Sequence, residues 1–211
     1  EVINTGLPRW DVLKDKSQGK REILIMPTWR NWLDSVPDKD FEESDYFRHY
    51  MGLLNSERLN QILEKYDLEV NFYLHAKFQE YADTFKSISK RIHLISFGEV
   101  AVNEMLMRCR MLITDYSSVC WDILYQDKPS LFYQFDIEKY NEAHGSYIDM
   151  ETELFGDRAA TQEQLLDYLE ETVQNDFHLK PEYEKMRGEY LQFKDHEHSR
   201  HICEEIKKRF H

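Results

Sequence analysis

Only three cysteines, Cys109, Cys120 and Cys203, occur in 211 residues, an odd number with no C-x-x-C pair. That excludes a disulfide framework and a cysteine zinc site, and it points to reduced thiols in a cytoplasmic setting. Glycine (7) and proline (5) are scarce too, which argues against a linker or a disordered tail. No run of about eighteen apolar residues is present, nor a charged start leading into an apolar stretch, so neither a membrane span nor a signal peptide is read. Basic residues are outnumbered, 27 against 40 acidic, for a net charge of −13. Duplex nucleic acid is bound through clustered Lys and Arg, so no nucleic-acid partner is expected.

What is present is patterned for a single α/β core. Short apolar runs at 23–26, 70–74, 92–95, 111–113 and 130–133 lack polar alternation, as strands buried on both faces of a parallel sheet do. Helical spacing separates them: Leu59, Ile62, Leu63 and Tyr66 place a helix over about 46–66, broken near Asn55. Val102, Met105, Leu106 and Cys109 place another. Thr161, with Glu163 and Gln164 in the first turn, opens a third, and helices over about 181–193 and 199–210 close the chain. Alternating strands and helices give an α/β fold with a doubly wound, Rossmann-like parallel sheet. Residues 33–46 read as a solvated acidic loop.

The chain is organised around Met111-Leu-Ile-Thr-Asp-Tyr-Ser-Ser118, where an apolar strand breaks into hydroxyl residues just before a helix. At such a turn the first backbone N–H groups are unpaired and the helix dipole favours an anion. Thr114, Asp115, Ser117 and Ser118 therefore read either as caps or as a phosphate site without a glycine-rich loop. Thr28 and Arg30 follow the first strand, and His75 follows the second. All three stand at strand carboxyl ends, where ligands bind in open parallel sheets. Asp136 follows the fifth run, as an acceptor for a polyol or ribose hydroxyl or as the cap of a helix beginning at Ile137. His196, His198 and His201 invite a zinc site. No Cys, Asp or Glu stands at ligand spacing, however, and His196 and His198 cannot share a helix face, so no metal is expected.

Residues 113–140, ITDYSSVCWDILYQDKPSLFYQFDIEKY, resemble the signature of the CDP-glycerol:poly(glycerophosphate) glycerophosphotransferases, the teichoic acid polymerases and primases of Gram-positive bacteria. Pro27-Thr-Trp-Arg30 is similar to that family's Pro-Thr-x-Arg, and Gly6-Leu-Pro-Arg-Trp-Asp11 to the segment leading into its C-terminal domain. Tyr140, Gly145, Tyr147 and Asp149 extend the match. Three motifs depart from the pattern: His75-Ala76 replaces His-Pro, Phe155-Gly156 replaces Pro-Gly, and His196 replaces the glycine of a terminal Asp-Gly-x-x-Ser.

The resemblance implies the C-terminal domain of a GT-B-type transferase, with a connector at 1–20 and a donor-binding domain at 21–211. Donor contacts would come from Thr28, Arg30, His75, Thr114, Asp115, Ser117, Ser118 and Asp136. The donor would be CDP-glycerol or a related CDP-alcohol, the acceptor a polyol phosphate, with no cofactor. The general base would be a histidine of an N-terminal domain outside these residues, in a protein peripheral to the cytoplasmic face of the membrane. Starting at Glu1 directly in patterned sequence, the chain reads as a piece of something longer. Two alternatives stand beside this: a sugar-nucleotide glycosyltransferase or epimerase preferring a UDP-sugar, and a non-catalytic nucleotide-binding module.

Overall fold

The computed structural model describes residues 2–210. Six strands, β1 (Glu22–Ile25), β2 (Glu69–Tyr73), β3 (Ile92–Ile95), β4 (Met111–Thr114), β5 (Ser130–Tyr133) and β6 (Asp157–Ala159), form one sheet. Their order is β3-β2-β1-β4-β5-β6 and every pairing is parallel. Strand order reverses between β1 and β4, and the crevice outside their carboxyl ends is where such sheets take ligands.

The central strands β1, β4 and β5 are covered on both faces, which is why they are nearly all apolar, whereas the edge strand β3 exposes His93 and Leu94. Ile23, Ile25, Val70, Phe72, Met111 and Ile113 pack under α1 (Asp38–Glu42), α2 (Asp45–Leu54) and α3 (Glu57–Lys65). Leu24, Met26, Leu112 and Phe132 face the other way, against α4 (Val102–Arg108) and α5 (Cys120–Tyr125). A short α6 (Ile137–Ala143) follows β5, and α7 (Gln162–Gln174) joins the first layer. Finally α8 (Pro181–Tyr190) lies on the second layer, and α9 (His198–Phe210) ends the described chain.

The break expected near Asn55 is real: Ser44 caps α2 by accepting from Phe47 N, and Ser56 restarts the chain as α3 by accepting from Leu59 N. Thr161 and Gln164 form a reciprocal capping box at α7. Among the elements not anticipated are a 3₁₀ segment at Ala76–Thr84, one helix and one strand. The acidic stretch 33–46 contains α1, whose Phe41 is fully buried and stacks on Tyr81 at 3.9 Å. The sixth strand is only Asp-Arg-Ala, with no apolar run to announce it. Gly156 admits it to the sheet, since a Cβ there would lie 2.0 Å from the Ser130 carbonyl oxygen.

Residues 5–12 form a strap packed on the second layer. Trp10 stacks on Tyr125 at 4.6 Å, and its Nε1 donates to Asp122 at 2.8 Å beside Arg9 Nε at 2.6 Å. Asp11 accepts from the backbone N–H of His198 (2.7 Å) and Ser199 (2.9 Å), so it caps α9 from the opposite end of the chain. Residues 195–199 thus lie against the strap. Gly6 is required there, since a Cβ would fall 2.0 Å from the His198 ring.

Candidate functional site

The carboxyl ends of β1, β4 and β5 are knotted by one buried ionic network. Asp115 leaves β4 with no exposed surface. Its Oδ1 accepts from the N–H of Thr28 (2.9 Å) and Tyr116 (2.6 Å), and its Oδ2 from Tyr50 hydroxyl (3.1 Å) and Arg30 Nη2 (2.9 Å). Thr114 Oγ1 donates to the Met26 carbonyl at 2.7 Å, closing the gap between β1 and β4.

Arg30 stands at the strand end where the sequence placed it, but not as a cation open to a phosphate. It is fully buried; Nε and Nη2 grip Asp136 at 2.7 and 3.1 Å, and Nη1 donates to the Thr28 carbonyl at 2.6 Å. The rings of Tyr116 and Tyr46 lie 4.9 and 5.2 Å from its guanidinium carbon. Burial opposes its charge, and Asp115 and Asp136 outweigh it, holding the Arg30 pKa well above its ordinary value. Asp136 occupies the N-cap position of α6 without making a side-chain cap bond. Its carboxylate is engaged by Arg30 and by the Tyr116 hydroxyl at 3.0 Å.

Around this network lie groups with capacity to spare. Ser117 is half-buried and Ser118 exposed. The residue directly before α5 is Val119, with no side-chain cap, and the Ser117 hydroxyl reaches its N–H only at 3.5 Å. The backbone N–H groups of Ser117 and Ser118 meet no acceptor among the described residues. Thr28 Oγ1 is buried and likewise without a partner. His75 is half-buried after β2; its Nδ1 accepts from Lys77 N at 3.2 Å, which leaves the proton on Nε2. Burial, then Lys77, lowers the His75 pKa, so the ring is a neutral donor at pH 7.

Beside the serine turn a cavity of about 230 Å³ is lined by Tyr116, Ser117, Trp121, Tyr140, Tyr147 and Met150, with Tyr116 and Tyr140 stacked at 3.6 Å. It is mainly apolar, with room for a flat ring beside an anion-binding turn. Burial pushes the adjacent Cys120 thiol up to about 12, which removes it as a nucleophile. A larger cavity of about 420 Å³, lined by Ser130, Asp157 and Lys180, opens at the opposite, amino-terminal edge of β5 and β6, where the switch-point logic does not place a substrate.

The sequence thus located Thr28, Arg30, His75, Thr114, Asp115, Ser117, Ser118 and Asp136 on one edge of the sheet. The structure divides them: Arg30, Asp115, Asp136 and Thr114 are bonded to one another or to the backbone, while Thr28, His75, Ser117 and Ser118 have unused donors. Sequence reasoning missed Tyr50 and Tyr116. Tyr50 lies within a helical pattern and looks like any core aromatic, whereas Tyr116 sits inside the central motif and carried a positional hint.

The model of the CDP-Glycerol:Poly(glycerophosphate) glycerophosphotransferase family matches residues 1–208. The minor teichoic acid biosynthesis protein GgaB of Bacillus subtilis is 30% identical over 92% of this chain and 22% of its own length. A teichoic acid glycerol-phosphate transferase of Staphylococcus aureus is 26% identical over 99% of this chain and 54% of its own. The wall teichoic acid polymerase TagF has the same fold, with a TM-score of 0.71 at 22% identity over 98% of this chain and 52% of that one. A variant of TagF has also been solved after a soak with CDPG. The chain therefore spans between about a fifth and about half of the length of these relatives.

Proposed function

The chain belongs to the CDP-Glycerol:Poly(glycerophosphate) glycerophosphotransferase family, and from that premise we propose that it is the donor-binding domain of a transferase that moves glycerol phosphate from CDP-glycerol, or ribitol phosphate from CDP-ribitol, to a growing teichoic-acid-like polymer. The observation that carries this reading is the pair of unused backbone N–H groups at Ser117 and Ser118, set at the switch point beside the free Thr28 hydroxyl. The donor pyrophosphate lies across that turn, and the cytidine ring enters the apolar cavity between Trp121 and Tyr147. The acceptor hydroxyl attacks the distal phosphorus in line; the new P–O bond forms as the bond to the bridging oxygen breaks and CMP departs. The turn's N–H groups and His75 Nε2–H stabilise the charge gathering on CMP. Arg30 acts one step back, holding Asp115 and Asp136 so that the three strand ends keep their spacing. The general base belongs to an N-terminal domain outside these residues, the acceptor is a polyol phosphate, and the whole protein works at the cytoplasmic face of the membrane. No described helix is long and apolar enough to cross a membrane.

Thermal shift with CDP-glycerol, CDP-ribitol, CDP and UDP-sugars at matched concentration tests the reading. A CDP-alcohol at a hundred times its Kd adds about 2.7 kcal/mol. Stabilisation by UDP-sugars alone would transfer the chain to the sugar-nucleotide alternative, and no response to any of them would remove the donor-binding role.

A further inference from the structure

Away from the donor site, at the junction of the strap with α9, Asp195, His198 and His201 each present a ligand atom, and the three atoms lie within 4.8 Å of one another. The sequence reading rejected a metal here because no carboxylate stood at ligand spacing. Folding supplies one. His196 adopts a left-handed conformation (φ 57°), with its ring nitrogen Nδ1 3.0 Å from the Trp10 carbonyl oxygen. That turn returns Asp195 to the first turns of α9, where its Oδ2 lies 3.1 Å from His201 Nε2. His198 and His201, three apart, share one helix face.

We propose that Asp195, His198 and His201 form a binding site for a single borderline transition-metal dication, Zn²⁺ above all. Two imidazoles and one carboxylate make an N₂O donor set of charge −1, suited to Zn²⁺ and poorly suited to Mg²⁺ or Ca²⁺, which take oxygen ligands. His198 is already oriented as a ligating histidine is. It is fully buried, its Nδ1 lies 3.3 Å from the Thr5 carbonyl, and its Nε2 faces the Tyr125 hydroxyl at 3.0 Å. A backbone carbonyl on one ring nitrogen fixes the tautomer that leaves the other for the metal.

His201 offers Nε2, the atom that faces Asp195; its Nδ1 is buried with no hydrogen-bond partner and carries the proton when Nε2 is a ligand. Zinc–ligand bonds of about 2.0–2.1 Å place tetrahedral ligand atoms about 3.3 Å apart, so the Asp195–His201 spacing already fits and the widest separation closes by about 1.5 Å. Asp195 is 44% exposed, with Oδ1 accepting from the Glu197 N–H at 3.1 Å and Oδ2 turned to His201, which leaves a solvent path to the site for the ion and for a water in the fourth position. A bound ion on His198 Nε2 would take the place of the Tyr125 hydroxyl there and tie Asp195 to the first turns of α9, with the Thr5 carbonyl still holding Nδ1, so its role is structural and does not depend on the donor site.

The test uses the full chain stripped with a chelator, titrated by calorimetry with Zn²⁺, Co²⁺ and Mg²⁺, and melted in each. The expected result is one Zn²⁺ per chain, visible absorption bands for Co²⁺, a rise in Tm with both, and none with Mg²⁺. Asp195→Asn and His201→Ala each weaken Zn²⁺ by more than about tenfold, while His93→Gln, on exposed β3, leaves it unchanged. The readout is the metal-dependent rise above each variant's own metal-free Tm, so a destabilised variant stays informative. Absence of stoichiometric binding, an equal response to Mg²⁺, or Zn²⁺ affinity undiminished in both site variants overturns the proposal and leaves Asp195–His201 as a carboxylate–imidazole pair.

Discussion

Arg30 and Asp136 are joined by two hydrogen bonds, Nε to Oδ2 at 2.7 Å and Nη2 to Oδ1 at 3.1 Å, with no guanidinium surface exposed. Because the same Nη2 also reaches Asp115 at 2.9 Å, removing Arg30 abandons two carboxylates at once. Arg30→Ala should cost about 3–5 kcal/mol, the range for breaking a buried pair from one side. Arg30→Lys should recover little, since an ammonium has no fork to span both. Urea unfolding measures both variants; a loss below about 1 kcal/mol for Arg30→Ala would mean that the network does not hold the strand ends.

Ser117→Ala and Ser118→Ala should separate binding from folding. Neither hydroxyl makes a short cap bond to α5, so each should cost less than the about 1 kcal/mol of a lost cap. CDP-glycerol affinity should fall about tenfold in the double variant, or about 1.4 kcal/mol. Paired urea melts and calorimetric titrations decide it, the contrary result being lost stability with unchanged affinity.

Stability of the unliganded chain should decline as pH falls below about 6.5, the usual histidine value. Burial lowers the pKa of both His75 and His49, so the unfolded chain binds more protons in that window. Their contribution is complete above the unfolded pKa and is lost on acidification. A pyrophosphate beside His75 reverses its preference, so saturating CDP-glycerol should shrink the loss between pH 7.5 and 5.5. The ligand-dependent part should vanish in His75→Gln, as followed by Tm at each pH.

Gly156→Ala should destabilise by about 1–3 kcal/mol or more, the cost of overpacking, because the new methyl would lie 2.0 Å from a backbone oxygen that cannot swing away. Hydrogen exchange should show β6 opening before β5. A variant as stable as the parent would show that the edge strand can shift at little cost.

Residues 1–211 alone should bind donor without turning it over. In-line transfer needs an acceptor hydroxyl about 3–3.5 Å from phosphorus and a base within hydrogen-bond reach, and the proposed donor pose puts His75 on the leaving-group side. Transfer onto a glycerophosphate primer, lost in His75→Ala, would make His75 the base.

The central strands were legible because strands buried on both faces are nearly all apolar, and the gathering of the candidate polar residues because they follow the ends of parallel strands. Phe41 was hidden by its acidic neighbours, since one buried ring in a polar stretch sets up no periodicity. The three-residue strand at Asp157 is fixed by what Gly156 lacks, which no apolar pattern records. The burial of Arg30 is not legible in the sequence, which gives the end of a strand but not the carboxylates of Asp115 and Asp136 that close over it. Asp195 and His201 meet only because His196 turns the wrong way for a helix.

The strap has a mechanical consequence. Arg9 and Trp10 both grip Asp122, the third residue of α5, only a few residues past Ser117 and Ser118, while Asp11 grips the start of α9. A pull on residues 5–12 is therefore delivered at two points, one on the helix that follows the serine turn and one on the helix that ends the described chain. The helix that follows the serine turn and the helix that ends the described chain are thus held by one short segment, so Trp10→Ala would loosen an anchor of each.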